Sequence, residues 1–587
     1  MKNFLKYTLA TIVGIFVTTI MFFFLLIIII SASSQEKPVE VKSNTILYMK
    51  LNMNIVERTT DNPLSYLLSG GFGPPKEMGL NDILSNIENA KKDDNISGIF
   101  MELSIIPAGI STVEEIRDAL IDFKESGKFL ICFSDFYTQK AYYLASVADK
   151  IYLNPAGELH LTGFGAQVMF FKEALDKLGI EVQILRHGAY KSAVEPFMLK
   201  EMSDKNREQI LEWVGSIWDH TLEGISKSRG IPVEKLDEMA DNLSIRSAQH
   251  ALDYKLVDGL KYKDQIIDEL KEITGTDEKK DLKSITLKKY TKVPRIREHK
   301  GLARDKVAVI YAHGSIVLGN QGEGSISSVR ISKAIRQARR DSTIKAIVLR
   351  VNSGGGGSLP SEIIWREVDL AKDVKPVVAS FGDMAASGGY YIAAPADTII
   401  ASPSTITGSI GVWAMIPNTK EFFNKKLGIH IDVASTNKHA DMGSPFRPLT
   451  EDEKEVILYG IEMVYNDFVN HVSEGRGMTR DEVDEIGQGR VWSGINAKEK
   501  GLIDLYGGLH ESIKVAAGMA DLDKYRVVEL PKLEDPFEQF IREWTENTKI
   551  RLLKNDLGSE YRYLKQIQDL KEMEGIQARI PFEVDLY

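Results

Sequence analysis

The feature that most constrains the fold is an internal repeat, because two stretches of the chain match each other 248 residues apart. Lys92–Ile99 aligns with Arg340–Ile347, and Tyr142–Ala145 aligns with Tyr390–Ala393 at the same spacing. Farther along the chain the spacing changes by only one residue. A match maintained over this distance indicates a tandem duplication, so the chain is predicted to contain two copies of one folding unit.

Each copy alternates short apolar runs, rich in β-branched residues, with longer stretches of helical character. In the second copy, strands are predicted at Val307–Tyr311, Ala346–Val351 and Pro376–Phe381, and helices at Ser328–Arg340 and Ser361–Ala371. This alternation predicts an α/β fold with βα crossovers and a largely parallel, buried sheet. Functional sites in such folds lie beyond the carboxyl ends of the strands.

Length and composition restrict the class of protein. A chain of 587 residues is too long for one core and suggests about three or four domain-sized units. The net charge of −10, without a dense basic patch, argues against a nucleic-acid partner. A single cysteine, Cys132, excludes an intrachain disulfide.

The N-terminus predicts a membrane anchor. Lys2 and Lys6 precede an uncharged run, Tyr7–Ser34, which is long enough for a spanning helix and longer than a secretory signal core. The lysines before the run and Glu36 after it favour a cytoplasmic N-terminus and an exported body. A cleaved signal ending near Ser31–Ser33 is the alternative, and the length of the run argues against it.

The repeat and the anchor together predict four parts of the chain. These are an anchor with a short linker, an N-terminal βα domain, a C-terminal βα domain and a helical extension: residues 1–45, 46–290, 291–530 and 531–587. The charge-rich stretch Lys279–Lys300 is predicted to link the two domains. In the extension, Asp535–Met573 reads as an amphipathic helix and Phe582–Leu586 as a strand.

Two small-residue motifs in the second copy follow predicted strands. Ser387 stands between a strand and a helix among small residues, although Ala-Ser-Gly-Gly is by itself more typical of an ordinary turn. The run Asn352–Ser358 lacks the Gly-Lys-Ser/Thr ending of a nucleotide-binding loop. Its backbone N–H groups would suit an oxyanion hole facing Ser387, and a flexible surface loop is the alternative.

A nucleophilic serine needs a base. Among the histidines only His313, which follows a strand, is a candidate, and the other candidate is a lysine made neutral by burial, Lys191. An exposed Lys191 paired with Glu195 is the ordinary alternative. In the repeat, Ser387 aligns with Gln139 and Lys191 aligns with Ala440. Each copy has therefore kept a different half of a site, which favours one composite site.

Three motifs together carry a resemblance to a known family: Tyr190–Phe197, Ala386–Tyr391 and Thr407–Val412. Through them the chain, from the anchor to about residue 530, resembles the long, duplicated form of the signal peptide peptidase A family. These are Ser/Lys peptidases of family S49 in the ClpP–crotonase superfamily. The resemblance implies a ClpP/crotonase-like βα unit in each copy.

The same resemblance implies a role for six residues. It makes Ser387 the nucleophile, Lys191 the general base and Ser409 the group that orients the lysine, with an oxyanion hole formed by the N–H groups of Gly388, Gly355 and Gly356. The family loop usually reads Asn-Ser-Pro-Gly-Gly-Ser, whereas here Gly354 replaces the proline and Gly357 the serine. Loss of the proline is expected to loosen the loop.

The resemblance further implies a membrane-anchored serine endopeptidase that acts through an acyl-enzyme and uses no cofactor. Its substrates would be signal-peptide remnants and other apolar or unfolded segments, and four copies would assemble. The location implied is a bacterial-type inner membrane, with the body on the periplasmic side. A crotonase-like acyl-CoA enzyme and a non-catalytic scaffold are the two rival interpretations.

Overall fold

The computed structural model describes residues 2–33, 39–59, 77–296, 303–533 and 576–579. Within these ranges, helices and strands alternate along most of the chain. The helices are α1 (Lys2–Ser33), α2 (Leu80–Lys92), α3 (Ile110–Lys124), α4 (Gln139–Ala145), α5 (Lys172–Leu178), α6 (Glu195–Met198), α7 (Asp204–Arg229), α8 (Val233–Asp241), α9 (Ala248–Asp253), α10 (Lys263–Thr274), α11 (Leu287–Tyr290), α12 (Ser328–Arg340), α13 (Ser358–Lys372), α14 (Gly388–Ala393), α15 (Glu451–Arg476), α16 (Arg480–Ile486), α17 (Gly494–Glu499) and α18 (Leu509–Met519). A 3-10 turn covers Ser192–Val194 and a π-helix covers Phe422–Leu427.

The strands are mostly short. They are β1 (Thr45–Met49), β2 (Asn54–Val56), β3 (Glu77–Gly79), β4 (Ile96–Glu102), β5 (Phe129–Tyr137), β6 (Lys150–Leu159), β7 (Glu181–His187), β8 (Gly259–Leu260), β9 (Ser284–Thr286), β10 (Lys306–His313), β11 (Ser315–Val317), β12 (Ser325–Ser327), β13 (Ile344–Ser353), β14 (Gly355–Gly357), β15 (Val377–Ala386), β16 (Thr398–Ala401), β17 (Ile406–Gly408), β18 (Val412–Asn418), β19 (Val491–Ser493), β20 (Leu505–Tyr506), β21 (Arg526–Leu530) and β22 (Ile576–Arg579).

Two parallel sheets with the same strand order confirm the α/β class. In the first half of the chain the order is β8-β6-β5-β4-β1-β9, with every pair parallel. In the second half, β20-β16-β15-β13-β10-β21 are likewise parallel neighbours, and β17 and β19 continue the sheet from the end of β15. The predicted helix at Ser328–Arg340 has these same bounds in the structure.

A third sheet joins the two halves. Its order is β12-β11-β14-β22-β18-β7, so β7 of the first half pairs antiparallel with β18 of the second. The cores also interlock, because Ala386, Ile406 and Val491 of the second half lie in the buried apolar cluster of the first half. Burying apolar surface across this junction disfavours separation of the halves.

Two expectations about connecting segments change. The predicted linker Lys279–Lys300 is partly wrong, because β9 and α11 lie within it and β9 pairs with β1. Hydrogen bonding to the first sheet ties that stretch to the N-terminal half. The predicted elements at Asp535–Met573 and Phe582–Leu586 lie outside the described residues, but a strand that was not predicted, Ile576–Arg579, is present between them.

Across the described ranges, no helix combines the length and apolar character that a membrane crossing needs.

Candidate active site

Ser387 and Ser409 are the first residues beyond two paired strands. Ala386 at the end of β15 lies opposite Gly408 at the end of β17. The φ angles of Ser387 and Ser409 are 54° and 52°, in the left-handed region that non-glycine residues rarely adopt. The N–H of Ser387 donates to the carbonyl of Gly408 at 2.8 Å, and its carbonyl accepts from Tyr391 in α14 at 2.8 Å. Backbone strain held in place this way is typical of functional sites.

Lys191 reaches these serines from the first half of the chain. The pairing of β7 with β18 places His187 opposite Val412, close in sequence to Ser409. The chain then turns at Gly188, whose φ is 103°. Lys191 packs directly on Gly489, where an added Cβ would lie 2.6 Å from the Cβ of the lysine. A glycine there permits a contact that any side chain would block.

The lysine amine lies among three oxygen atoms. Nζ of Lys191 is 2.8 Å from Oγ of Ser387, 2.9 Å from Oγ of Ser409 and 3.0 Å from the carbonyl oxygen of Ser409. The hydroxyl of Ser409 donates to the carbonyl of Gly489 at 3.4 Å. All three side chains are at most 1% exposed. The three predicted residues therefore lie together within a single chain.

The alternatives for the base do not lie at the site. Glu195 accepts hydrogen bonds from Ser203 and Asn206. No carboxylate among the described residues pairs with Lys191. His313 is exposed at the end of β10, and within the described part of the chain no histidine hydrogen-bonds Ser387. The interpretation of Lys191 as an exposed, paired lysine is thus wrong.

Burial sets the protonation of Lys191. Removing the amine from water disfavours its charged form, so burial lowers the pKa of Lys191 well below its ordinary value. A neutral amine has two N–H donors and one lone pair. The two oxygens of Ser409 can accept both N–H bonds, because its hydroxyl proton is directed to Gly489. The lone pair is then free to accept the hydroxyl proton of Ser387.

The glycine run is not the flexible surface loop that was the alternative interpretation. Gly355–Gly357 forms a short strand, β14, and the N–H of Gly355 is not free, because it donates to Oγ of Ser353 at 3.1 Å. A Cβ added at Gly355 would lie 2.8 Å from the backbone nitrogen of Gly388. The glycines of the two motifs are therefore adjacent. They can pack this closely because glycine has no side chain.

A peptide carbonyl already lies beside these glycines. A Cβ at Gly355 would be 2.1 Å from the carbonyl oxygen of Ala578 in β22, and one at Gly388 would be 2.9 Å from the same atom. β22 runs antiparallel between β14 and β18. Ser358 Oγ donates to the carbonyl of Ile576, and Trp413 Nε1 to that of Arg579, each at 3.1 Å.

Sequence reasoning missed this strand. A four-residue segment, Ile576–Arg579, is too short to carry a periodic signal, and its pairing depends on two strands far away in sequence.

In the described ranges there is also no group of three or more side chains suited to hold a metal ion.

The repeat partners of the dyad lie elsewhere. Gln139, the counterpart of Ser387, is buried at the start of α4, where its amide donates to the carbonyl of Gly163 at 2.8 Å and accepts from the N–H of Thr162 at 3.2 Å. Ala440, the counterpart of Lys191, is exposed. No Ser–Lys contact equivalent to that of Lys191 and Ser387 forms at these two aligned positions.

Comparison with known proteins supports the repeat and shows the family. The model of peptidase family S49 matches twice, at residues 122–277 and 369–523. Protease 4 of Salmonella typhi is 38% identical over 463 residues, which are 77% of this chain and 74% of that protein. The chloroplastic serine protease SPPA of Arabidopsis thaliana is 32% identical over 514 residues, 86% of this chain and 74% of that protein.

Among solved structures, a ClpP1 mutant from Listeria monocytogenes covers 35% of this chain and 94% of its own, with 14% identity and a TM-score of 0.24. That score is too low to support a conclusion about the fold. The two family matches together cover more than half of the sequence, one in each copy of the repeat. With relatives this similar over most of its length, the chain belongs to peptidase family S49.

Proposed function

We propose that the protein is a serine endopeptidase in which Ser387 is the nucleophile and Lys191 the general base. Ser409 would orient the amine, and the N–H groups of Gly388, Gly355 and Gly356 would stabilise the oxyanion. The N–H of Gly355 would have to leave Oγ of Ser353 to do so. The single observation that carries the proposal is the 2.8 Å contact between Lys191 Nζ and Ser387 Oγ, in a buried site where none of the described carboxylates pairs with the amine. Burial keeps the amine basic but uncharged, as a general base requires.

The proposed reaction follows an acyl-enzyme route. The lone pair of Lys191 accepts the proton of Ser387 as Oγ attacks the peptide carbonyl carbon, and the resulting ammonium protonates the leaving amine. Water then attacks the ester, Lys191 accepts a proton from it, and Ser387 is released with its proton restored. The two oxygens of Ser409 hold the ammonium during both steps.

The substrate would bind as an extended strand. β22 lies antiparallel between β14 and β18 with the carbonyl of Ala578 beside Gly355 and Gly388, so this groove can hold a peptide with one carbonyl at the glycines. Backbone pairing of this kind accepts many sequences and requires an unfolded segment. Signal-peptide remnants and other apolar, unfolded segments fit this requirement.

We also propose the wider setting that the sequence predicts. The uncharged run Tyr7–Ser34 would anchor the protein once in a bacterial-type inner membrane, with the catalytic body exported. The N-terminal domain at 46–290 would supply the lysine and the C-terminal domain at 291–530 the serine. Four copies would assemble, which brings several sites to one membrane surface.

A fluorophosphonate probe tests the proposal, because it phosphonylates an activated serine. The intact protein is expected to be labelled on Ser387, with a rate that rises with pH through the lowered pKa of Lys191. Ser387→Ala is expected to abolish both labelling and hydrolysis of a fluorogenic peptide while the circular dichroism spectrum stays unchanged. Peptide hydrolysis by a folded Ser387→Ala variant would refute the proposed nucleophile.

A further inference from the structure

β15, the strand that ends just before Ser387, contains a β-bulge whose backbone is hydrogen-bonded by a side chain of a neighbouring strand. In the pairing of β13 with β15, Val351 lies opposite Phe381 and Ser353 opposite Ala385. Asn352 alone therefore faces three residues, 382–384, of β15. Bulges beside active sites redirect the strand that follows, and here that strand ends at the nucleophile.

The side chain of Asn352 replaces the backbone pairing that the bulge interrupts. Its Oδ1 accepts a hydrogen bond from the N–H of Met384 at 3.3 Å, three residues before Ser387. Its Nδ2 donates to Oε1 of Glu57 at 2.7 Å. Asn352 is the penultimate residue of β13, and β14 begins three residues later. Its amide therefore ties the end of β13, which leads into the glycines, to the strand that ends just before Ser387.

Glu57 lies in a space that this bulge leaves open. A Cβ added at Gly382 would lie 2.8 Å from Oε1 of Glu57 and 2.9 Å from the amide of Asn352. Glu57 is 6% exposed and follows β2, in a segment that precedes the repeat match. Its second oxygen accepts from Nε of the fully buried Arg350 at 2.8 Å.

The charge of Glu57 is kept by this arrangement. Burial alone would raise the pKa of the carboxyl. The charge and hydrogen bonds of Arg350, then the charge interaction with His313 and the hydrogen bond of Asn352, outweigh burial and hold the pKa below its ordinary value. A carboxylate accepts only, so it fixes the Asn352 amide with Nδ2 toward Glu57 and Oδ1 toward Met384.

We propose that Glu57 is a positioning residue for peptide hydrolysis, acting through Asn352 to hold the glycine strand β14 in register with Ser387. The inference rests on the function proposed above and goes beyond it, because Glu57 touches neither the substrate nor the reacting atoms. A loosened β14 misplaces the oxyanion donors relative to Ser387, and a displacement of about 1 Å can cost about 100-fold in rate.

The test compares Glu57→Gln with Glu115→Gln. Glu115 is the other buried carboxylate on Arg350, at 2.6 Å, but it caps α18 through the N–H of Leu509 and does not contact Asn352. Glu57→Gln is expected to lower kcat about 10- to 100-fold with KM changed less than about threefold. Glu115→Gln, measured at matched folded fraction, is expected to keep kcat within about twofold of wild type.

The pH profile separates positioning from an effect on the base. Because Glu57→Gln leaves the Lys191 site intact, the pH at which activity rises is expected to stay the same while the plateau falls. Asn352→Ala is expected to lower the plateau to the same extent, and combining it with Glu57→Gln should cause no further loss, since both act through one amide. Asn352 is only partly buried, so this variant serves if Glu57→Gln does not fold.

Three results would overturn the inference: a folded Glu57→Gln enzyme with wild-type kcat, an equal loss of kcat in Glu115→Gln, or additive losses in the double variant. Failure of the proposed function is a separate outcome, since it requires a folded Ser387→Ala variant that still hydrolyses peptide.

Discussion

The two halves of the chain share one sheet order, but the residue that follows the equivalent strand makes different contacts in each half. In the first half, β5 is followed by Gln139, whose amide is closed off by hydrogen bonds to Thr162 and Gly163. In the second half, β15 is followed by Ser387, whose hydroxyl faces the amine of Lys191. The first half thus uses the strand end for local structure, and the second uses it for a reactive contact.

The β-bulges that precede Gln139 and Ser387 show the same difference between the halves. In the first half the N–H of Phe136 bonds to the hydroxyl of Ser134, only two residues away. In the second half the counterpart of Ser134 is Gly382, and the N–H of Met384 bonds to Asn352 on the next strand. The bulge of the first half is therefore bonded within its own strand, whereas the reactive site depends on residues from both halves.

The largest effect is expected from removing the lysine that the first half supplies to the site. Lys191→Met keeps the length of the side chain but has no basic nitrogen, so kcat/KM is expected to fall about 10⁴-fold or more. Hydrolysis of a fluorogenic peptide measures this. Lys200→Met is the control, because that lysine is exposed and pairs with Glu173, and it should leave the rate unchanged. Substantial activity in Lys191→Met would mean that another base serves Ser387.

The pH dependence of activity tests the role of the buried amine that distinguishes the second half. Below the lowered pKa of Lys191 the amine is protonated, and activity is expected to rise about tenfold per pH unit until that pKa is passed. Stability has the same sign. The unfolded lysine keeps its proton up to about its ordinary value of 10.5, so the unfolded state binds more protons and the free energy of unfolding rises with pH between the two pKa values.

Urea unfolding of wild type and Lys191→Met across this pH range checks the linkage. The wild-type protein should be the less stable of the two at low pH, where the buried amine is charged, and the difference should shrink as pH rises. A difference that is independent of pH would contradict a lowered pKa.

A smaller effect is expected from the strand that fills the groove in the second half. Deleting residues 576–587 removes β22, which lies between β14 and β18 and covers the proposed substrate position. If β22 occupies the groove about nine-tenths of the time, its loss raises kcat/KM for a short peptide about tenfold. Deleting only residues 580–587 keeps β22 and is the control. An unchanged or lower rate without β22 would show that it does not compete with substrate.

The smallest change is expected from placing a serine in the first half. Gln139→Ser removes the hydrogen bonds to Thr162 and Gly163 and should cost about 1–3 kcal/mol of unfolding free energy. No second reactive serine should appear, because Ala440 stands where a lysine would be needed. Labelling with a fluorophosphonate, followed by mass spectrometry of the peptide containing position 139, measures this. Labelling there would show that the first half keeps a usable base.

Much of the fold could be predicted because periodic signals are local. Strands such as β10, β13 and β15 are apolar runs bounded by turn residues, and α12 lies between them with the predicted bounds. The Ser387–Lys191 pairing was suggested by comparing the two copies, since each lacks what the other retains. Their roles in catalysis stay predictions until the variants above are measured.

The errors have a common physical cause. The stretch Lys279–Lys300 carries the charge of a linker, yet β9 within it gains its structure by pairing with β1. The alternative interpretation of the glycine run as a flexible loop also fails, because β14 pairs with β11 and β22. Short segments take their conformation from tertiary partners, which local sequence does not reveal.

The repeat and the hydrophobic periodicity were enough to predict the duplication, the α/β class and the one residue of the Ser–Lys pair that each copy keeps, because both signals lie along the chain. Three features appear only in the folded protein. Lys191 is buried within hydrogen-bond distance of Ser387, Asn352 and Glu57 support the bulge before Ser387, and Ile576–Arg579 fills the groove. These contacts join positions far apart in sequence, and the pairing of β7 with β18 is what brings Lys191 close to Ser387.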